Sequence, residues 1–283
     1  MSGESLEKLL DRFEAALRGH KLHMLYQPKV RLSDGRLSHV EALVRWDDSE
    51  LGLIDPQRFV TLAEEHGLID ELTQWVLRTA LRQWAKWRGE GIDTCVAVNI
   101  SALSLEQLDF PDLVERMCRG LDVPRDRLVL ELTEGATQPL IKLMDTLTRF
   151  RIKGIGLAID DFGTGYSSMM QLRQLPFTEV KIDRQFVSEA PRAQDCALIV
   201  RTIIDLAHGL GLAATAEGIE DEATLDLLCS MGCDRAQGFF ISPPIRASDL
   251  VPWIRENIEG WRWSCAERAA HHHEQEQRHA NAN

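Results

Sequence analysis

Short apolar segments recur along this chain, separated by helix-length stretches, and many of them carry or end in an acidic or amide residue. The strand candidates are 22–32, 37–46, 95–100, 128–132, 155–159, 179–182, 212–216 and 235–240. Helical periodicity lies near 112–121, 138–150, 194–209, 221–231 and 248–257. A further apolar stripe runs through Leu72, Trp75, Val76, Ala80, Trp84 and Trp87. Strand–helix alternation implies parallel strands joined by crossover helices. About eight strands suit an α/β fold of modified TIM-type (β/α)8 barrel form, which needs roughly 250 residues; an open sheet is the alternative. Ser33-Asp34-Gly35 marks a turn between the first two strands. The barrel is therefore expected to open with a hairpin and to hold one antiparallel strand near its N-terminus.

The chain divides into an amphipathic helix over 1–20, packed on the domain through Leu6, Leu9, Leu10, Phe13 and Leu17, a barrel over 21–260, and a polar, disordered tail over 261–283. His271-His272-His273 in that tail receives no function. A net charge of −12 repels a phosphate polyelectrolyte, so a nucleic-acid polymer is not expected as partner. A small phosphate ligand remains open to a site holding cations. No apolar run approaches the roughly 18 residues of a membrane span, and no export signal is visible. The six cysteines are dispersed and read as reduced thiols of a cytoplasmic protein. Cys229 and Cys233 read as helix-end thiols rather than as a metal pair.

The strand-end residues carry the chemistry. Glu41 lies in the second strand, Asn99 ends the third, and Glu131 lies in the fourth. Asp160 and Asp161 end the fifth, Lys181 and Asp183 the sixth; Glu217 ends the seventh, and Gln237 lies in the last. A carboxylate beside an apolar strand is costly unless paired or bound to a cation. Strands of a barrel bring their C-terminal ends to one face, so these residues point to one convergent site. All-oxygen ligands favour Mg²⁺ or Mn²⁺. Singly, each has a plainer reading. Asp160-Asp161 before Gly163 makes an ordinary turn, Lys181 an ion-pair partner, Arg45 a surface residue laid over Trp46, and Asn99-Ile100-Ser101 a glycosylation sequon. The tryptophans at 75, 84 and 87 read as core.

Taken in order, the motifs resemble the EAL-domain phosphodiesterases that cut cyclic di-GMP. They are Tyr26-Gln27-Pro28, Glu41-Ala42-Leu43-Val44-Arg45-Trp46, Asn99-Ile100-Ser101, Glu131-Leu132-Thr133-Glu134, the run from Asp160 to Ser168, Lys181-Ile182-Asp183, Ala216-Glu217-Gly218-Ile219-Glu220 and Gln237-Gly238-Phe239-Phe240. The resemblance implies two-metal hydrolysis of cyclic di-GMP to linear pGpG with two divalent cations, Mg²⁺ or Mn²⁺. It implies that Glu41, Asn99, Glu131 and Asp160 hold one ion, and that Asp160, Asp161 and Glu217 hold the second. Lys181 matches the catalytic lysine, as a base or as an electrostatic clamp, and Glu217 matches a position shared by ligand and catalyst. Gln27, Leu43, Arg45, Asp183 and Gln237 match substrate-binding and supporting positions, and Glu134 matches the anchor of the 160–168 loop. A homodimer through helices near that loop is implied as well. Pro243 stands where a basic residue is common, and Met169 where leucine is usual. A catalytically silent cyclic di-GMP receptor is the alternative function, against which the complete ligand set argues.

Overall fold

The computed structural model describes residues 3–19, 21–133, 140–164, 169–257, 264–266 and 268. Nine strands form one sheet: β1 (Leu22–Arg31), β2 (Leu37–Asp48), β3 (Gly52–Ile54), β4 (Cys95–Asn99), β5 (Leu128–Thr133), β6 (Gly156–Phe162), β7 (Glu179–Ile182), β8 (Ala213–Ala216) and β9 (Arg235–Ala236). The order β1-β9-β8-β7-β6-β5-β4-β2 closes on itself through β1 and β2, while β3 hangs outside on β2. Strands β2 and β4 to β9 are mutually parallel, and β1 runs antiparallel to both neighbours. The expected barrel with one antiparallel N-terminal strand is the observed fold.

The helices are α1 (Gly3–Arg18), α2 (Pro56–Glu65), α3 (Ile69–Gly89), α4 (Ala102–Leu105), α5 (Phe110–Gly120), α6 (Leu140–Ile152), α7 (Met169–Gln174), α8 (Arg184–Glu189), α9 (Gln194–Gly209), α10 (Glu222–Ser230) and α11 (Leu250–Glu256). Several start where a carboxylate accepts orphan backbone N–H groups: Asp55 from Gln57, Asp183 from Gln185, and Asp221 from Thr224. Helix α3 buries Leu72, Val76, Ala80, Trp84 and Trp87, and the Trp84 indole donates to Thr94 O at 2.6 Å. The stripe therefore fixes α3 to the base of β4.

Helix α1 is held by apolar burial and by charge. Phe13 is fully buried, with its ring 5.4 Å from that of Trp46 and 5.8 Å from that of Phe59; burying such a ring contributes about 2–3 kcal/mol. One turn edge away, Arg12 donates twice to Asp48, Nε to Oδ2 at 3.0 Å and Nη2 to Oδ1 at 2.5 Å, and once to Glu50. The helix is thereby tied to the end of β2. Among the described residues no helix is long and apolar enough to cross a membrane.

Three features differ from the sequence reading. Strand β3 is too short to show alternation. The last strand stops at Ala236, because Gly238 lies against the backbone of Ile219, where a Cβ would come within 2.2 Å of both N and O. Residues 237–240 instead bond Ile219 locally, through Ile219 N to Gln237 O and Phe240 N to Ile219 O. The reduced-thiol expectation fails at Cys229, which is disulfide-bonded to Cys265, 36 residues on. Cys95, Cys118, Cys196 and Cys233 are free. The pairing follows from residues 264–266 and 268, within the stretch expected to be a disordered tail. There Cys265 N donates to Leu32 O, and Arg268, 7% exposed, bonds Asp226 and Glu222 of α10. Chain spacing holds no trace of that return.

Candidate active site

The C-terminal ends of the parallel strands carry a cluster of acids around one ammonium. Lys181, on β7 and 1% exposed, places Nζ 2.7 Å from Glu217 Oε1, 2.8 Å from Glu131 Oε2, 3.0 Å from Asp160 Oδ1 and 3.6 Å from Glu41 Oε2. Burial pushes the ammonium toward neutrality, but the charges of Asp160, Glu131, Glu217 and Glu41 outweigh it and hold its pKa well above the ordinary value. Those four acids are thus within reach of a single point.

Glu41 is 5% exposed, and both its oxygens accept from amides: Oε1 from Asn99 Nδ2 and Oε2 from Gln237 Nε2, each at 2.7 Å. Gln237 also donates to Gln27 Oε1 at 3.0 Å, and Gln27 donates to Ser242 O at 3.0 Å. The Gln237 Oε1 atom is buried without a hydrogen-bond partner among the described residues.

Asp160 and Asp161 are adjacent, and side chains of a regular strand alternate between faces. Here β6 shifts register against β7 between Ile159 and Phe162, and Asp161 adopts φ 55°. The bulge turns both carboxylates toward the strand ends. Oxygen atoms of Asp160, Asp161 and Glu217 lie within 4.8 Å of one another. Burial raises the Asp161 pKa to about 6, with further upward pushes from the Asp160 charge and a hydrogen bond with Asp183. Burial likewise raises Glu217 well above the usual carboxylate range; Lys181 opposes this, while Asp160 and Glu41 add to it. One lysine does not balance the negative charge gathered here, and an oxygen-only donor set fits a hard divalent cation.

Two cavities flank the cluster and share Leu43. One, of about 230 Å³, is lined by Gln27, Glu41, Asp160, Lys181, Glu217 and Gln237. The other, about 270 Å³ and more apolar, runs past Arg45 and Asn99 toward Val60, Leu72 and Val76 of α2 and α3. Gln27, Glu41, Asn99, Glu131, Asp160, Asp161, Lys181, Glu217 and Gln237 therefore converge, with Leu43 and Arg45 on the second cavity's wall. Arg45 donates to Val44 O. Asp183 stands apart as the cap of α8 and as a partner of Asp161. Glu134 and residues 165–168 lie outside the described residues.

Arg184, Glu220 and Phe239 also line the first cavity, and sequence reasoning gave none of them a role. Glu220 and Phe239 lie within the motifs, and Arg184 directly follows Lys181-Ile182-Asp183. Gly218 brings Arg184 close: it has φ +69°, and a Cβ there would lie 2.3 Å from Arg184 Cβ. Phe239 is 69% exposed at the rim.

The structure is thus a closed barrel with an inverted first strand and acids gathered in one mouth. The chain matches the EAL domain over residues 10–244 and belongs to that family. It is 38% identical over 234 residues to the cyclic di-GMP phosphodiesterase PA2567 of Pseudomonas aeruginosa, covering 82% of this chain and 40% of that protein. It is 39% identical over 246 residues to MucR of the same organism, a bifunctional diguanylate cyclase/cyclic di-GMP phosphodiesterase, covering 86% and 36%. The chain thus spans less than half the length of these curated relatives. Among solved structures, the MucR phosphodiesterase in complex with c-di-GMP superposes with TM-score 0.82 at 39% identity, covering 86% of this chain and 99% of that one. The EAL enzyme Bd1971, bound to cAMP and cyclic di-GMP, superposes with TM-score 0.85 at 28% identity, covering 90% and 70%.

Proposed function

We propose that this protein hydrolyses one phosphodiester bond of cyclic di-GMP, giving linear pGpG, with two Mg²⁺ or Mn²⁺ ions. The observation that carries the reading is the convergence of Glu41, Glu131, Asp160 and Glu217 on one nitrogen, beside an Asp160–Asp161–Glu217 oxygen triad. Glu41, Asn99, Glu131 and Asp160 would hold one ion, and Asp160, Asp161 and Glu217 the other. When bound, the cations lower the pKa of a shared water and neutralise charge developing at phosphorus. An amide flip at Asn99 presents its oxygen in place of the nitrogen now facing Glu41.

Lys181 is held protonated by its four acids, so it acts as a fixed positive charge aimed at the attacking oxygen rather than as the base. Glu217, beside Lys181 and the Asp160–Asp161 pair, would share the work of holding an ion and of proton transfer. Arg45, Gln27 and Leu43 meet the ligand, and the two cavities joined at Leu43 suit a substrate with two base-bearing arms. Gln237 and Asp183 support the site. A homodimer through helices beside the 160–168 loop is supported by α9, whose Ile203 packs near Gly163 while Leu198 and Ile199 are exposed. The reading places the reaction in the cytoplasm.

The test is incubation of purified protein with cyclic di-GMP and Mg²⁺ or Mn²⁺, following pGpG by chromatography. Turnover supports the enzyme; tight binding without turnover sinks it in favour of a receptor, and a protein that neither binds nor turns over cyclic di-GMP sinks both. Light scattering of the same sample reports the dimer.

A further inference from the structure

Beneath the acid cluster, the barrel interior holds a second charged layer that no motif marks. Because strand side chains alternate, residues two positions from a site residue face the same way, one step deeper. Under Gln27, Glu41, Lys181, Glu217 and Gln237 stand Lys29, His39, Glu179, Thr215 and Arg235. Under Asn99, Glu131 and Asp160 stand only Ala97, Val129 and Ala158, which pack together as a small apolar cluster. Barrel interiors are ordinarily filled by branched apolar side chains, so five of the eight positions in this layer depart from the rule.

Lys29 crosses from the charged half to the apolar half. It is fully buried, and its Nζ lies 2.9 Å from Glu179 Oε1 and 3.2 Å from Glu131 Oε1. The other Glu131 oxygen, Oε2, faces Lys181 at 2.8 Å. Glu131 is thus gripped at both oxygens by two ammonium groups from β1 and β7, and nothing beneath it but alanine and valine could hold it otherwise. Glu179 is itself fixed, accepting from Thr215 Oγ1 at 2.5 Å and from Arg235 Nη1 at 3.1 Å. Burial pushes Lys29 toward neutrality, yet Glu179 and Glu131 more than offset this and keep it charged. Buried ion pairs are poor sources of stability, since well-packed apolar replacements often do as well. A charged layer kept in a barrel core therefore calls for a role other than stability.

We propose that Lys29 is a positioning residue: by holding Glu131 Oε1, it leaves Oε2 alone to face the site and fixes its direction toward the bound cation. Glu179, anchored by Thr215 and Arg235, holds Lys29 in turn.

Resting on the cation-ligand role of Glu131 proposed above, the test must separate positioning from charge balance. The double variant Lys29→Met/Glu179→Gln removes one charge of each sign. Mn²⁺ affinity, read from the free-ion paramagnetic resonance signal, is expected to weaken at least about tenfold. In the same variant kcat falls while KM for cyclic di-GMP stays within about twofold of the parent. A merely structural lysine predicts that the balanced variant binds Mn²⁺ like the parent, and that result overturns the proposal. If the double variant does not fold, Arg235→Met is the second probe. It sits at the layer's more exposed end, 24% exposed, and frees Glu179 to draw Lys29 away from Glu131. Mn²⁺ binding weakened about threefold supports the role, and unchanged binding overturns it. A parent protein that binds no Mn²⁺ sinks the metal reading itself, which is a different result from a parent that binds and a variant that binds equally.

Discussion

Gln237 and Glu41 meet across the barrel, with the Gln237 amide donating to Glu41 Oε2 at 2.7 Å, although 196 residues separate them. Asn99 fills the other Glu41 oxygen, so both lone-pair directions of this acid are committed to amide donors. Glu41→Gln then sets an N–H₂ group against an existing donor, relieved only by a flip of Asn99 or by a flip of Gln237 that abandons Gln27. We expect Mg²⁺ affinity to drop at least about a hundredfold, with stability changed by about 1–2 kcal/mol. Isothermal titration with Mg²⁺ and thermal melting check this. Glu41→Ala and Asp160→Ala are each expected to abolish turnover while circular dichroism is retained.

Lys181→Met removes the one ammonium that all four acids share. Breaking such a buried cluster costs about 3–5 kcal/mol in the metal-free protein. Turnover should fall about a thousandfold. Adding Mg²⁺ should recover much of the lost stability, because a ligand that binds only the folded state raises it. A melting temperature equally low with and without Mg²⁺ contradicts this account.

Gly218→Ala tests how α8 is seated. Its φ of +69° and the 2.3 Å approach to Arg184 Cβ leave a methyl group no room, and backbone on both sides must shift. The expected loss is about 2–3 kcal/mol. Turnover should fall further than stability explains, since Glu217 precedes this glycine. A kinetic comparison below the melting range separates the two effects.

The α1 anchor has a pH dependence of defined sign. The Arg12 side chain, with help from the backbone N–H groups of Glu50 and Leu51, holds the Asp48 carboxyl far below its unfolded value of 3.8. A folded-state pKa below the unfolded one means the contribution is complete above pH 3.8 and is lost as pH falls from there through the folded value. Asp48→Asn should therefore flatten the acid limb of a melting-temperature profile below pH 4 and leave its slope near neutrality unchanged.

The barrel was legible because its strands are short, apolar and bounded by turns, and because each site acid sits within or at the end of an apolar strand, where buried charge needs a reason. Asp160 and Asp161 could be named as a pair, yet not the bulge that lets adjacent side chains face one way. Lys29 and Glu179 left no such trace. A lysine within a strand reads as solvent-facing until closure of the sheet puts its face in the lumen. Reading two residues behind each site position would have found Glu179 behind Lys181, opposite charges on one face. The Cys229–Cys265 bond was invisible for a different reason: polar composition describes residues near 265 well and says nothing about what they fold back upon. Arg184 borders a motif and Phe239 lies inside one, but neither carries the charge chemistry those motifs announce.

The reversed direction of β1 has a consequence for how the domain is wired. Leu22 pairs with Trp46, so the chain enters the barrel at the end where the acids gather, whereas a barrel of uniformly parallel strands is entered from the opposite end. Helix α1 lies just ahead of that entry, clasped to Asp48 only a few residues beyond Leu43 and Arg45. A polypeptide joined ahead of α1 would be delivered beside the mouth of the site, where a rotation or tug on one helix reaches the strand carrying Glu41 without crossing the barrel.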